Sequence, residues 1–129
     1  MPKRIQRKRA QPEAQLQRAV CEFLTSALDS AVMWFHPANE QANEITRMRN
    51  SALGVMPGTA DLIFLWYEGH GAIELKARGR KQSLEQEVWA AQYMALGGLY
   101  AVCRTPEEVE AVLRSWKLPL RASLKAKRA

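Results

Sequence analysis

The stretch Gly71–Ala77, GAIELKA, sets apolar and charged residues in alternation. Successive side chains of a β-strand point to opposite faces, so Ile73 and Leu75 share one face while Glu74 and Lys76 share the other. A strand of this kind belongs to a sheet with one side against a core and a second side carrying a carboxylate and an ammonium. The charged side needs an explanation. As a lone pair, Glu74 and Lys76 read as an ordinary surface ion pair on a solvated sheet face.

The rest of the chain supplies partners for that strand. Pro12 to about Asp29 reads as a helix, with Leu16, Val20, Phe23, Leu24 and Ala27 at helical spacing, Pro12 at its first position and Glu13 in its first turn. AVMWFH (31–36) reads as a strand that Pro37 ends. Residues 37–58 form a long polar connection, part of it compatible with a short helix around 43–52, and Gly54, Pro57 and Gly58 mark a loop; connections of this length are usually functional or mobile. ADLIFLWY (60–67) is a second strand, EGHG a turn, and 72–77 a third strand. Ser83 caps a helix to about Leu96, with Leu84, Val88, Ala91 and Ala95 as its expected buried face and Gly97 or Gly98 at its end. LYAVC (99–103) is a fourth strand. Thr105, Pro106 and Glu108 open a last helix ending near Trp116. The expected fold is α/β, in the order αβββαβα, with a small mixed sheet flanked by helices: an antiparallel hairpin, then a parallel pair joined by a crossover helix.

The 129 residues suggest one domain, and 47% hydrophobic residues supply a core. The net charge is +6, but residues 1–10 hold five basic side chains and residues 117–129 five more, leaving nine basic against 13 acidic side chains between them. The expected organisation is a basic N-terminal arm (1–11), a mildly acidic folded body (12–116) and a basic C-terminal tail (117–129). Basic arms suit a polyanion, most simply nucleic acid, or serve as solubilising tails. No apolar run approaches the roughly 20 residues of a membrane span, so no membrane partner is expected. The basic N-terminal stretch lacks the apolar segment of a secretory signal, and Cys21 and Cys103 are isolated, which points to a reducing, cytoplasmic setting.

Asp61 sits at the start of the second strand and, if the second and third strands form a hairpin, has the parity to share a face with Glu74 and Lys76. Two neighbouring carboxylates repel in a dry site, and a divalent cation removes that cost. Hard oxygen ligands suit Mg²⁺ or Mn²⁺. A lysine beside such an ion can orient or help deprotonate water, or steady a phosphate. Hairpin register decides whether the carboxylates meet. A two-residue turn at Gly69–His70 sets Asp61 opposite Arg78 and leaves Glu74 roughly 13 Å away. A bulge, or a turn centred near Tyr67 and Glu68, brings them together. Both registers stay open on sequence. Singly, each residue has a plain role: Asp61 in a turn, Gln86 in a capping box with Ser83, His36 at a strand end, Glu13 at a helix start.

The stretch from Gly54 to Val102 resembles the VRR-NUC domain, the virus-type replication and repair nuclease branch of the PD-(D/E)xK superfamily. The matching positions are Gly54, Gly58 with Asp61, Glu74 with Lys76, Gln86 with Trp89, and Gly98; Glu13 and Gln17 match in the first helix, and Asn39, with Arg47 or Arg49, in the polar loop. The resemblance spans about 13 to 103. It implies a restriction-endonuclease-like αβββαβ core, here with an extra C-terminal helix, and an Mg²⁺- or Mn²⁺-dependent endonuclease. Asp61 and Glu74 would hold the metal, Lys76 would position or activate water, Gln86 would support the site, and Glu13 would add a carboxylate. In-line attack on a phosphodiester would leave a 5′-phosphate and a 3′-hydroxyl. Asn39, Arg47, Arg49, Arg78, Arg80 and Lys81 would contact DNA. Short members of viral or bacterial type resemble homodimeric Holliday-junction resolvases, so the expectation is a dimer on four-way junctions in a bacterial or phage-infected cell. Two alternatives stand beside it: a nuclease for flaps or other structures, and a non-catalytic DNA-binding recombination accessory protein.

Overall fold

The computed structural model describes residues 2–37, 48–49 and 52–124, with residues 2–11 described by their backbone alone. In chain order the elements are α1 (Pro2–Ala27), β1 (Val32–Phe35), β2 (Leu62–Trp66), β3 (Gly69–Leu75), α2 (Leu84–Ala95), β4 (Leu99–Cys103) and α3 (Pro106–Ser115). The expected order αβββαβα is the one observed. The short helix expected around 43–52 falls mostly outside the described residues.

Helix α1 starts ten residues before its expected first position, so Pro12 lies inside it. An interior proline removes one amide hydrogen bond and crowds the preceding turn. The run from Lys3 to Gln11 consists of residues compatible with a helix, mostly Lys, Arg, Gln and Ala, and the helix continues through the proline. Its buried face is the expected one, with Val20, Phe23, Leu24 and Ala27 almost fully covered.

The four strands lie in the order β1-β2-β3-β4. The pairs β1–β2 and β2–β3 are antiparallel, and β3–β4 is parallel. Trp66 pairs with Gly69 and Leu62 with Ile73, so the turn is Tyr67–Glu68 and not Gly69–His70. The glycines that suggested a turn serve packing instead. The Trp116 ring lies over Gly71 so closely that a Cβ there would overlap it, and a Cβ on Gly69 would stand 3.5 Å from the Trp66 ring. Glycine inside a strand often marks such a close approach. Strand β3 accordingly begins three residues earlier than expected and ends at Leu75, although Lys76 still donates its N–H to the Cys103 carbonyl at 3.0 Å.

One face of the sheet builds the core. Leu62 and Phe64 of β2, Ile73 and Leu75 of β3 and Cys103 of β4 pack with Phe23 and Leu24 of α1 and Val109 and Leu113 of α3. Residues 117–124 continue this packing: Leu118 is buried, Leu120 and Leu124 lie against the cluster, and the Arg121 N–H donates to the Ala27 carbonyl at 2.9 Å. Helix α2 covers the opposite face. Its expected buried stripe is overturned: Leu84 is 74% and Val88 59% exposed, and Ala91 and Ala95 also face solvent. The sheet-facing stripe is Gln86, Trp89, Ala90 and Tyr93, also at helical spacing. Aromatic rings bury more area than the small residues of the other stripe, and their polar ends find partners. The Tyr93 hydroxyl shares a hydrogen bond of 2.8 Å with His70 Nδ1 on β3, and the Trp89 and Tyr93 rings stack at 4.8 Å.

Candidate active site

The register of the hairpin assembles the site. With Leu62 opposite Ile73, the preceding Asp61 comes to lie across from Glu74 at the α2-facing side of the sheet. The Leu75 N–H donates to Asp61 Oδ2 at 2.8 Å, which fixes the carboxylate against β3. Helix α1 contributes Glu13, whose Oε1 accepts from the Ala77 N–H at 3.4 Å. The end of β1 contributes His36, whose Nδ1 donates to the Asp61 carbonyl at 2.6 Å. Glu13, Gln17, His36, Asp61, Glu74 and Gln86 line one cavity of ≈ 440 Å³.

Gly58 closes that cavity from the loop before β2. Its φ of +79° is left-handed, and a methyl group there would collide with the Glu85 carbonyl and the Gln86 amide nitrogen. Only glycine lets the loop reach the first turn of α2 in this conformation. Ser83 and Gln86 form a reciprocal capping box: the Gln86 N–H donates to Ser83 Oγ at 3.2 Å, and Gln86 Oε1 accepts from the Ser83 N–H at 2.9 Å. Gln86 therefore fills its plain capping role and lines the cavity as well.

Glu74 is the anomaly of the fold. It is 2% exposed, the one buried charged side chain among the described residues, and its Oε2 has no hydrogen-bond partner. Burial first, then the hydrogen bond and charge of Asp61, push its carboxyl up to about 10; the Lys76 charge opposes the shift and Glu13 adds to it. The Tyr100 hydroxyl, which accepts from Gln82 Nε2 at 2.7 Å, is also pushed up, by burial and then by the charges of Glu74 and Asp61. An orphaned, buried carboxyl oxygen beside two further acidic side chains is costly, and either a retained proton or a cation would offset that cost.

Among the described residues, no group of three or more His, Cys, Asp or Glu side chains is arranged to hold an ion. Mg²⁺ typically takes one or two carboxylates and completes its shell with water and substrate phosphate. Asp61 and Glu74 offer that number, and the free Glu74 Oε2 fits it.

The remaining expected residues divide. Lys76 follows β3 on the Glu74 side and acts on Glu74 through its charge. Arg78, Arg80 and Lys81 are exposed on the loop leaving β3. Arg104 pins that loop, its Nη1 donating to the carbonyls of Ala77 at 2.9 Å and Arg80 at 2.7 Å. Arg49 is exposed. Asn39 and Arg47 lie outside the described residues. Sequence reasoning gave His36 only a plain strand-end role; its link to Asp61 follows from the β1–β2 register, which pairs Phe35 with Ile63. No helix among the described residues is long and apolar enough to cross a membrane.

Comparison with models of known protein families, with curated proteins and with solved structures finds no match for this chain. The resemblance to the VRR-NUC domain rests on the motif residues themselves.

Proposed function

We propose that the chain is a metal-dependent, structure-specific endodeoxyribonuclease with a restriction-endonuclease-like core, acting as a homodimeric Holliday-junction resolvase. The observation that carries this reading is the buried Glu74, with its partnerless Oε2, beside Asp61 in a cavity lined by α1, β3, α2 and the segments that follow β1 and precede β2. Asp61 and Glu74 hold Mg²⁺ or Mn²⁺, which supplies positive charge to the scissile phosphate when bound. The Leu75 amide keeps Asp61 oriented for that task. Lys76 orients the attacking water or steadies the phosphate. Gln86, locked by its cap, presents a fixed wall, and Glu13 adds negative charge from α1. Hydrolysis leaves a 5′-phosphate and a 3′-hydroxyl. Arg78, Arg80 and Lys81 track the DNA backbone, a contact mode that gives affinity without reading sequence. A two-fold dimer places one such site on each of two strands, as paired cuts at a four-way junction require.

The test is cleavage of end-labelled four-way junction, flap, splayed-arm and plain duplex DNA with Mg²⁺, Mn²⁺ or EDTA, beside Glu74→Ala. Symmetric, metal-dependent junction cuts that vanish in the variant are expected. Cutting confined to flaps or duplex would keep the nuclease and discard the resolvase. Binding without cutting by a well-folded protein would leave a DNA-binding accessory protein.

A further inference from the structure

A second cavity, of ≈ 530 Å³, lies at the other end of β2, lined by Trp66, Tyr67, Glu68, Trp116 and Lys117 among others. Its aromatic walls are built with some care. The rings of Trp66 and Trp116 stack at 6.2 Å with 15° between their planes, seated on Gly69 and Gly71. Trp116 is braced edge-on by Phe64 at 6.3 Å. Tyr67 stands beside them 99% exposed at the turn, where its ring gains nothing from the fold.

Lys117 is the second observation. It ends α3 with φ 64°, the one non-glycine residue at positive φ among those described. The Lys117 N–H donates to the Arg114 carbonyl and the Leu118 N–H to the Leu113 carbonyl, a Schellman ending in which glycine is the usual residue at this position. A lysine there accepts backbone strain that glycine would avoid. It also places an exposed cation at the rim of the aromatic cavity, at the start of the segment 117–129 with its five basic side chains. Glu68 is the opposing charge on the rim.

Planar aromatic walls beside a cation match the chemistry of single-stranded nucleic acid, where bases stack on rings and phosphates meet basic side chains. We propose that this cavity holds an unpaired nucleobase of single-stranded DNA, with Tyr67 and the tryptophan pair as stacking surfaces and Lys117 on a flanking phosphate. The proposal rests on the reading that the substrate is DNA. Asp61 and Trp66 stand at opposite ends of β2, so the two cavities are separate sites.

The test is the affinity of the full chain for a labelled oligothymidylate of about 12 nucleotides, read by fluorescence anisotropy in EDTA, with an abasic strand of the same length as control. Tyr67→Ala, at a fully exposed position, is expected to weaken oligothymidylate roughly tenfold and leave the abasic strand unchanged. Lys117→Gly is expected to weaken both strands alike without lowering the thermal midpoint, since it relieves the left-handed backbone. Equal wild-type affinity for the two strands, or unchanged oligothymidylate binding by Tyr67→Ala, would overturn the proposal. So would displacement of the strand by a proline-rich peptide, which would assign the cavity to a protein partner. Because binding is read without metal, loss of the base preference with cleavage intact removes this cavity alone. Absent cleavage with the preference intact removes the nuclease alone.

Discussion

Glu74 makes the sharpest prediction because its environment is costly to a charge. Its carboxyl is pushed from 4.5 up to about 10 by burial first and by Asp61 second. The sign follows from which state ionises first. In the unfolded chain Glu74 loses its proton near its ordinary value, whereas in the fold it resists until far higher pH. The unfolded state is therefore favoured progressively from about pH 4.5 upward, by as much as about 1.4 kcal/mol per pH unit. At pH 7.5 the ceiling is on the order of 4 kcal/mol, and water entering the cavity lowers it. For a domain of this size that ceiling is roughly 15 °C in Tm. In EDTA, wild-type protein should lose stability between pH 5 and pH 8, and Glu74→Gln should melt higher than wild type at pH 8. Saturating Mg²⁺ or Mn²⁺ should reverse the order: a ligand at one hundred times its Kd adds about 2.7 kcal/mol to wild type, and Glu74→Gln should gain nothing. Thermal melts across pH, with and without the ions, read both effects. If Glu74→Gln melts no higher than wild type at pH 8 in EDTA, and the ions shift neither protein, the carboxylate is solvated and the cation argument fails.

Three further perturbations probe the supports of the site. Asp61→Asn keeps an oxygen for the Leu75 N–H, so it should fold with a normal circular dichroism spectrum yet lose the metal-induced rise in Tm. Arg104→Ala removes the two hydrogen bonds that hold the Ala77–Arg80 loop. It should cost about 2 kcal/mol in denaturant titration and weaken duplex DNA binding by freeing Arg78 and Arg80. Gly71→Ala drives a methyl group into the Trp116 ring; it should destabilise by about 1–3 kcal/mol and alter tryptophan emission, while Gly54→Ala, whose Cβ would meet nothing, should leave that emission unchanged.

What the sequence discloses here depends on how local the governing physics is. Strand alternation at Glu74 and helical periodicity in α1 are short-range, and they place the core face and the charged face correctly. The capping residues Ser83 and Thr105 are equally local, and both accept the amide hydrogen bond expected of them. Register is different, because it is decided by side chains far apart in the chain. Gly69 and Gly71 look like turn residues until Trp116, 45 positions after Gly71, is seen to need the space above Gly71, with the Trp66 ring against Gly69. The turn then has to fall on Tyr67–Glu68, and that single displacement carries Asp61 from opposite Arg78 to opposite Glu74. The same long-range competition reversed α2. Leu84, Val88, Ala91 and Ala95 form a good apolar stripe, but Tyr93 has a histidine across the sheet to bond and Leu84 has none. Trp116 therefore does more than fill the core at the far end of the sheet. By claiming Gly71 of β3 it favours this hairpin register, and the register sets the spacing of the two carboxylates on which the proposed chemistry depends.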